Sequence, residues 1–124
     1  MRLTIIAITM TLIFTACNAN PPSTISFEAL PESGDIANGE RLFTEQACFA
    51  CHTNEATGSP LLDGLSERAG STIEGQSARE YIFYSITEPA QYIPEGFGNV
   101  MPNNYDENMT VSEIADLIEY LLSL

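Results

Sequence analysis

Apolar positions along the chain fall into distinct blocks with different spacings. The first is an uncharged, mostly apolar run from Leu3 to Phe14. Between Asn18 and Gly34 no apolar period is sustained; Pro21, Pro22 and Pro31 fall among Ser, Asn and Glu. From Ile36 the apolar side recurs at three and four residues, through Gly39, Leu42 and Phe43, which is one face of a helix. Asp35 stands ready as its N-cap. Gly39 inside that face costs about 1 kcal/mol of helix stability against Ala, so another backbone or ring is expected to press close there. Ser77-Ala78-Arg79-Glu80 has the form of a capping box and leads into Tyr81, Ile82, Ser85 and Ile86, with Pro89 as the stop. Tyr92 to Asn108 is rich in Pro, Gly and Asn and reads as an irregular loop held by its contacts. Thr110-Val111-Ser112-Glu113 is a second capping box. It opens a terminal helix with a broad apolar face of Val111, Ile114, Leu117, Ile118, Leu121 and Leu122. No strand is convincing, so the expectation is an all-α domain of three to five short helices.

Before that domain lies a candidate export segment. Met1-Arg2 precedes the apolar run, which is too short to span a bilayer comfortably and suits the core of a signal peptide. Thr15-Ala16-Cys17 then resembles the lipobox of bacterial lipoproteins, in which the cysteine is lipid-modified and becomes the first residue. The plain alternative is an ordinary signal with an incidental cysteine. The organisation expected is a lipoprotein signal over residues 1–16, a lipid-anchored flexible tether over 17–34 and one domain over 35–124.

The chemistry concentrates in Cys48-Phe49-Ala50-Cys51-His52, a Cys-x-x-Cys-His signature. Two thiols at that spacing can add across the vinyl groups of a haem, and a histidine directly after the second can reach the iron as its proximal ligand. A small disulfide, a redox dithiol or part of a zinc site are the other readings of such a pair. Zinc needs four ligands, and the chain offers one His and one further Cys. A thioredoxin-like dithiol needs strands alternating with helices, and the pattern has none.

Charge narrows the partners. The chain carries a net charge of −13 with 17 acids. Loss of the leader removes Arg2 and leaves Arg41, Arg68 and Arg79 against those 17 acids, a net charge of −14. Nucleic acid and anionic lipid surfaces are excluded as electrostatic partners.

Residues Asp35 to Leu124 together resemble the class I c-type cytochromes. The resemblance implies an all-α fold wrapped around one covalently attached haem c, in which the first and last helices cross with a glycine and an aromatic at the contact. Gly39 and Phe43 match on the first helix, Tyr120 or Leu121 on the last. Pro60-Leu61-Leu62-Asp63-Gly64 is similar to the family's Pro-x-Leu-x-Gly. It implies that Pro60 offers its carbonyl to Nδ1–H of His52 and that Leu62 belongs to the haem contact. Met101-Pro102 matches the family's sixth iron ligand. Met109 competes with Met101, but its place just before the Thr110 cap suits an apolar staple residue. Many relatives place a Trp near the haem; here Tyr81, Tyr84, Tyr92 or Phe97 must fill that space. The loop from Tyr92 to Tyr105 also resembles cytochrome modules attached to haem-copper oxidases. A lipid-anchored acidic monohaem chain is similar to the small cytochrome subunit of alternative complex III.

The function implied is one-electron transfer on the extracytoplasmic, periplasmic side of a bacterial membrane. It would run between a quinol-oxidising membrane complex and an oxidase, a reaction centre or another cytochrome. An electron carrier of this kind is not an enzyme and takes no small-molecule substrate; its partners are redox proteins and, through Cys17, the membrane. The alternative is a haem enzyme or gas sensor with a displaceable sixth ligand. Such chemistry wants a distal His or Arg, and there is no second His. A disulfide-stabilised structural domain is a third reading that the length of the chain does not require. Cys17→Ser is expected to release the mature protein into the soluble extracytoplasmic fraction. Membrane retention of that variant through a high-salt wash would show either an uncleaved helix or tight subunit docking.

Overall fold

The computed structural model describes residues 23–54 and 58–124. The candidate leader, Cys17 and the tether up to residue 22 lie outside the described residues. Among those described there are six α-helices and no strand: α1 (Ile36–Glu45), α2 (Phe49–His52), α3 (Leu65–Thr72), α4 (Ala78–Thr87), α5 (Tyr105–Asn108) and α6 (Val111–Leu122). The all-α expectation holds, with six helical segments in place of three to five. Two of the six, α2 and α5, are single turns.

The starts of the long helices follow local chemistry. Asp35 caps α1, its Oδ1 accepting from the N–H groups of Ala37 at 2.9 Å and Asn38 at 3.1 Å. Thr110 and Glu113 form a reciprocal capping box at α6. At α4 only half of the expected box exists: the Ser77 hydroxyl accepts from the Glu80 N–H at 3.1 Å. The middle helix ends at Thr87, two residues before Pro89. The core is built from Leu42, Ile82, Phe83, Ile114, Leu117 and Ile118 among others, all buried. Each such side chain contributes about 1.5–3 kcal/mol on burial. Met109 is 5% exposed and belongs to this core.

α1 and α6 meet backbone to backbone. A Cβ added at Gly39 would lie 2.1 Å from the Asp116 carbonyl oxygen and 2.7 Å from the Tyr120 Cβ, so only glycine fits. Gly34, just ahead of α1, also lies against the Ala115–Asp116 peptide, whose nearest atom would be 2.6 Å from an added Cβ. Phe43 and Tyr120 pair beside the crossing with ring centroids 5.4 Å apart. Asp116 fastens the same region, accepting from the Asp35 N–H and the Asn38 side-chain amide, each at 2.7 Å.

From Ser23 onward the stretch expected to be a flexible tether lies on the domain. Ile25, Phe27 and Leu30 pack against the core, Phe27 meeting Phe83 at 5.6 Å between ring centroids. Its residues lack a helical or strand period because a strap of this kind buries single apolar side chains at irregular intervals. Arg79 donates to the Pro31 carbonyl at 2.7 Å and pairs with Glu119 of α6. Asp106 of α5, 8% exposed, holds the start of the strap. Its Oδ2 accepts from the Thr24 N–H at 2.7 Å, the Ser23 hydroxyl at 3.0 Å and the Thr24 hydroxyl at 3.1 Å.

Burial by itself would raise the pKa of Asp106, but those donors outweigh it and hold the carboxyl below its ordinary value. A depressed carboxylate adds stability that is complete above the unfolded pKa of about 3.9 and fades as pH falls through the lower folded value. Asp106→Asn is expected to cost about 1–3 kcal/mol near neutrality. Urea unfolding at a series of pH values should show the gap between parent and variant closing only below about pH 4.

Candidate functional site

The segment between α1 and α2 positions the two cysteines. Ala47 has φ +56°, the only residue besides glycine in the left-handed region among those described. Around it α1 closes with paired bonds, Cys48 N–H to the Phe43 carbonyl and Ala47 N–H to the Thr44 carbonyl, both 3.1 Å. This is a Schellman motif with alanine where glycine is usual. It turns the chain so that Cys48 enters α2 directly, with Cys51 one turn later and His52 at its end. Nothing in the sequence marks this stop, because alanine is the strongest helix former and carries no turn signal.

His52 points back to the segment after the motif. Its Nδ1 lies 2.8 Å from the Pro60 carbonyl oxygen. A carbonyl only accepts, so Nδ1 carries a proton, and in the neutral ring Nε2 keeps its lone pair. Arg68 of α3 ties the same segment from the other side, donating to the backbone carbonyls of Leu61 and Asp63. Gly64, in the left-handed conformation at φ +65°, turns the chain into α3.

These residues line a cavity of about 590 Å³, within the usual range of cofactor-sized sites. Cys48, Cys51, His52, Pro60, Leu62 and Met101 all border it. Cys48 is half-buried and Cys51 exposed. Met109 does not border it and lies in the core. Of the four aromatics expected to fill the place of a Trp, Tyr81, Tyr92 and Phe97 line the cavity and Tyr84 does not. Tyr81 and Tyr92 meet edge to face with centroids 5.9 Å apart. Phe43 and Tyr105 also line it, and sequence reasoning had assigned neither to the site. Tyr105 was hidden because α5 is a single turn of polar sequence inside a stretch read as loop. The rest of the wall comes from the inner faces of α4 and α6, including Ile82, Ile86, Leu117 and Leu121.

The electrostatics do not suit a redox dithiol. Burial pushes the Cys48 thiol up, and the neighbouring Cys51 adds to this against a lowering backbone bond. An attacking thiol of the thioredoxin kind needs the opposite shift. Tyr105 is likewise raised, by burial first and then by the nearby thiols. No group of three or more His, Cys, Asp or Glu side chains among the described residues converges on a point that could hold a metal ion. An apolar cavity bordered by two thiols, an oriented imidazole and a thioether has the donor set for a covalently held haem.

The family model described as Cytochrome c matches residues 36–124. The chain belongs to the cytochrome c family. Comparison with curated proteins and with solved structures returned no match. Cytochromes c bind covalently attached haem c, typically one per domain, and haem-based electron transfer is the general function of the fold. Members are typically electron carriers, and their domains are typically extracytoplasmic. No helix among the described residues is long and apolar enough to cross a membrane.

Ala47→Gly is expected to stabilise the holoprotein by about 0.5–1 kcal/mol, since the left-handed strain of alanine exceeds the entropy that glycine costs. Guanidinium unfolding checks this. A destabilised variant would show that Ala47 is not strained.

Proposed function

We propose that this cytochrome is a lipid-anchored one-electron carrier on the extracytoplasmic face of a bacterial membrane, with His52 and Met101 as the axial ligands of its iron. The observation that carries the ligand assignment is the separation of the two methionines, Met101 at the cavity and Met109 in the core. When bound, haem c supplies an iron that passes between the ferric and ferrous states.

Each surrounding residue has a physical task. Cys48 and Cys51 would hold the group covalently, so it cannot dissociate. The Pro60 carbonyl fixes the tautomer and ring plane of His52 and raises the basicity of Nε2. The soft thioether of Met101 would favour the ferrous state and raise the potential. Leu62 and the apolar faces of α4 and α6 exclude water, and this acts in the same direction. With His52 and Met101 both holding the iron, the bound haem would offer no site to a substrate, and its chemistry would be electron exchange on the side where Cys51 is exposed.

The partner is argued from charge and exposure. All three arginines of the mature chain are engaged inside the domain: Arg41 with Glu45, Arg68 with backbone carbonyls, Arg79 with Glu119. No basic ring is therefore presented to an acidic partner. At the cavity rim, however, Val100 is 66% exposed and Ile93 39%. Docking through this apolar rim onto a membrane-embedded quinol-oxidising or terminal complex fits the surface better than long-range steering.

The ligand assignment is tested by spectroscopy of the holoprotein. Met101→Ala is expected to remove the weak near-infrared sulfur–iron band and to let CO bind the reduced form, whereas Met109→Ala should keep the band and lose about 2–5 kcal/mol of stability. The reverse pattern would assign the iron to Met109. Docking is tested by the rate of electron exchange with the native membrane complex from low to high salt. Less than about tenfold change is expected, and a steeper fall would indicate a basic, electrostatically steered partner.

A further inference from the structure

We infer that the anchored domain hangs on a short leash that fixes its α5 side near the bilayer and confines the protein to a thin shell at the membrane surface. This rests on the lipid-anchor reading of Cys17. Were residues 17–34 free, the chain would have a contour of about 60 Å between the lipid and the domain. The strap removes most of that length. Ser23 and Thr24 are fastened to Asp106 by three bonds to one carboxylate oxygen. Phe27 is seated on Phe83, and the Pro31 carbonyl is held by Arg79. Polar fastenings stand at both ends of the strap and an apolar one at its middle.

Only the stretch from Cys17 to Ser23 then lies between the lipid and the domain. Six residue steps span at most about 20 Å even when fully extended. Ser23 leaves the domain at Asp106, so α5 is the part of the fold held closest to the lipid. The surface there does not adhere to an anionic membrane by itself, because exposed Glu107 puts acidic charge on α5. Proximity is imposed by the covalent chain alone, and the occupant of the space facing α5 is the bilayer surface. Tyr105, adjacent to Asp106, lines the cavity. Part of the cavity wall therefore lies beside the leash point, and the partner must present its own redox group within reach of the membrane surface. A membrane-embedded complex satisfies this; an acceptor on the opposite membrane of the envelope does not.

The test uses the full lipidated holoprotein in phosphatidylcholine vesicles containing a nickel-chelating headgroup lipid. A nitroxide is placed on α5 through Glu107→Cys, the native thiols being taken up by haem and lipid, and the haem is kept ferrous. Nickel at the headgroups should enhance nitroxide relaxation strongly. Inserting twelve Gly/Ser residues between Asn20 and Pro21 should reduce that enhancement several-fold. An enhancement unchanged by the insertion, or no greater than dissolved nickel produces, overturns the leash. Protein that fails to bind vesicles and lacks acyl mass at Cys17 overturns the anchor reading itself, and with it this inference.

Discussion

The direct contact between the backbones of α1 and α6 is the constraint on which the arrangement of the site depends. With glycine at position 39 and again at 34, nothing separates the first helix from the Ala115–Tyr120 stretch of the last. Asp116 locks the rotation of α1 through the Asp35 N–H and Asn38. Because α1 ends in a fixed turn at Ala47, this lock passes directly to Cys48, Cys51 and His52. The opposite wall of the cavity comes from the same α6 through Leu117 and Leu121. One helix pair thus sets both the thiols and the surface they face. An extra methyl group at Gly39 would disturb the cavity before any residue in the cavity had changed.

Much of this was legible in the sequence where chemistry is local. The Cys-x-x-Cys-His spacing, the Asp35 and Thr110 caps and the glycine facing an aromatic each announce themselves in a few residues. The bond from His52 to the Pro60 carbonyl followed from resemblance and has the implied geometry. Met109 was recognisable as packing from its place before a helix cap, and the core holds it. What was missed depends on contacts distant in sequence. α3 begins after a left-handed glycine with no capping side chain, and Leu65 and Ala69 are its only buried positions. α5 is a single polar turn whose one buried residue, Asp106, is an acid satisfied by partners more than 80 residues away. The strap over residues 23–34, whose one regular piece is the three-residue 3-10 turn Phe27–Ala29, has no period because it follows the surface of other elements.

Two kinds of polar restraint divide the work. The acids at helix starts, Asp35 and Glu113, act on their own helices and so contribute locally. Asp106, Asp116 and Arg79 act between elements, each satisfying donors or acceptors that burial would otherwise leave costly. In a chain with so few cations, most of this bridging is done by carboxylates accepting from N–H and hydroxyl groups rather than by ion pairs. Such bridges are directional and tolerate salt better than exposed charge pairs do.

The pairing of the first helix with the last also bears on how the molecule is made. α1 and α6 lie at opposite ends of the domain sequence, so their contact closes a loop containing the motif and most of the other elements. Joining segments that far apart carries a loop-closure cost that the packing of α1 on α6 must offset. A chain emerging amino end first cannot close until its last helix is out. Cys48 and Cys51 lie inside that loop, so the turn that presents them is held in its final place only once the last helix has docked on the first.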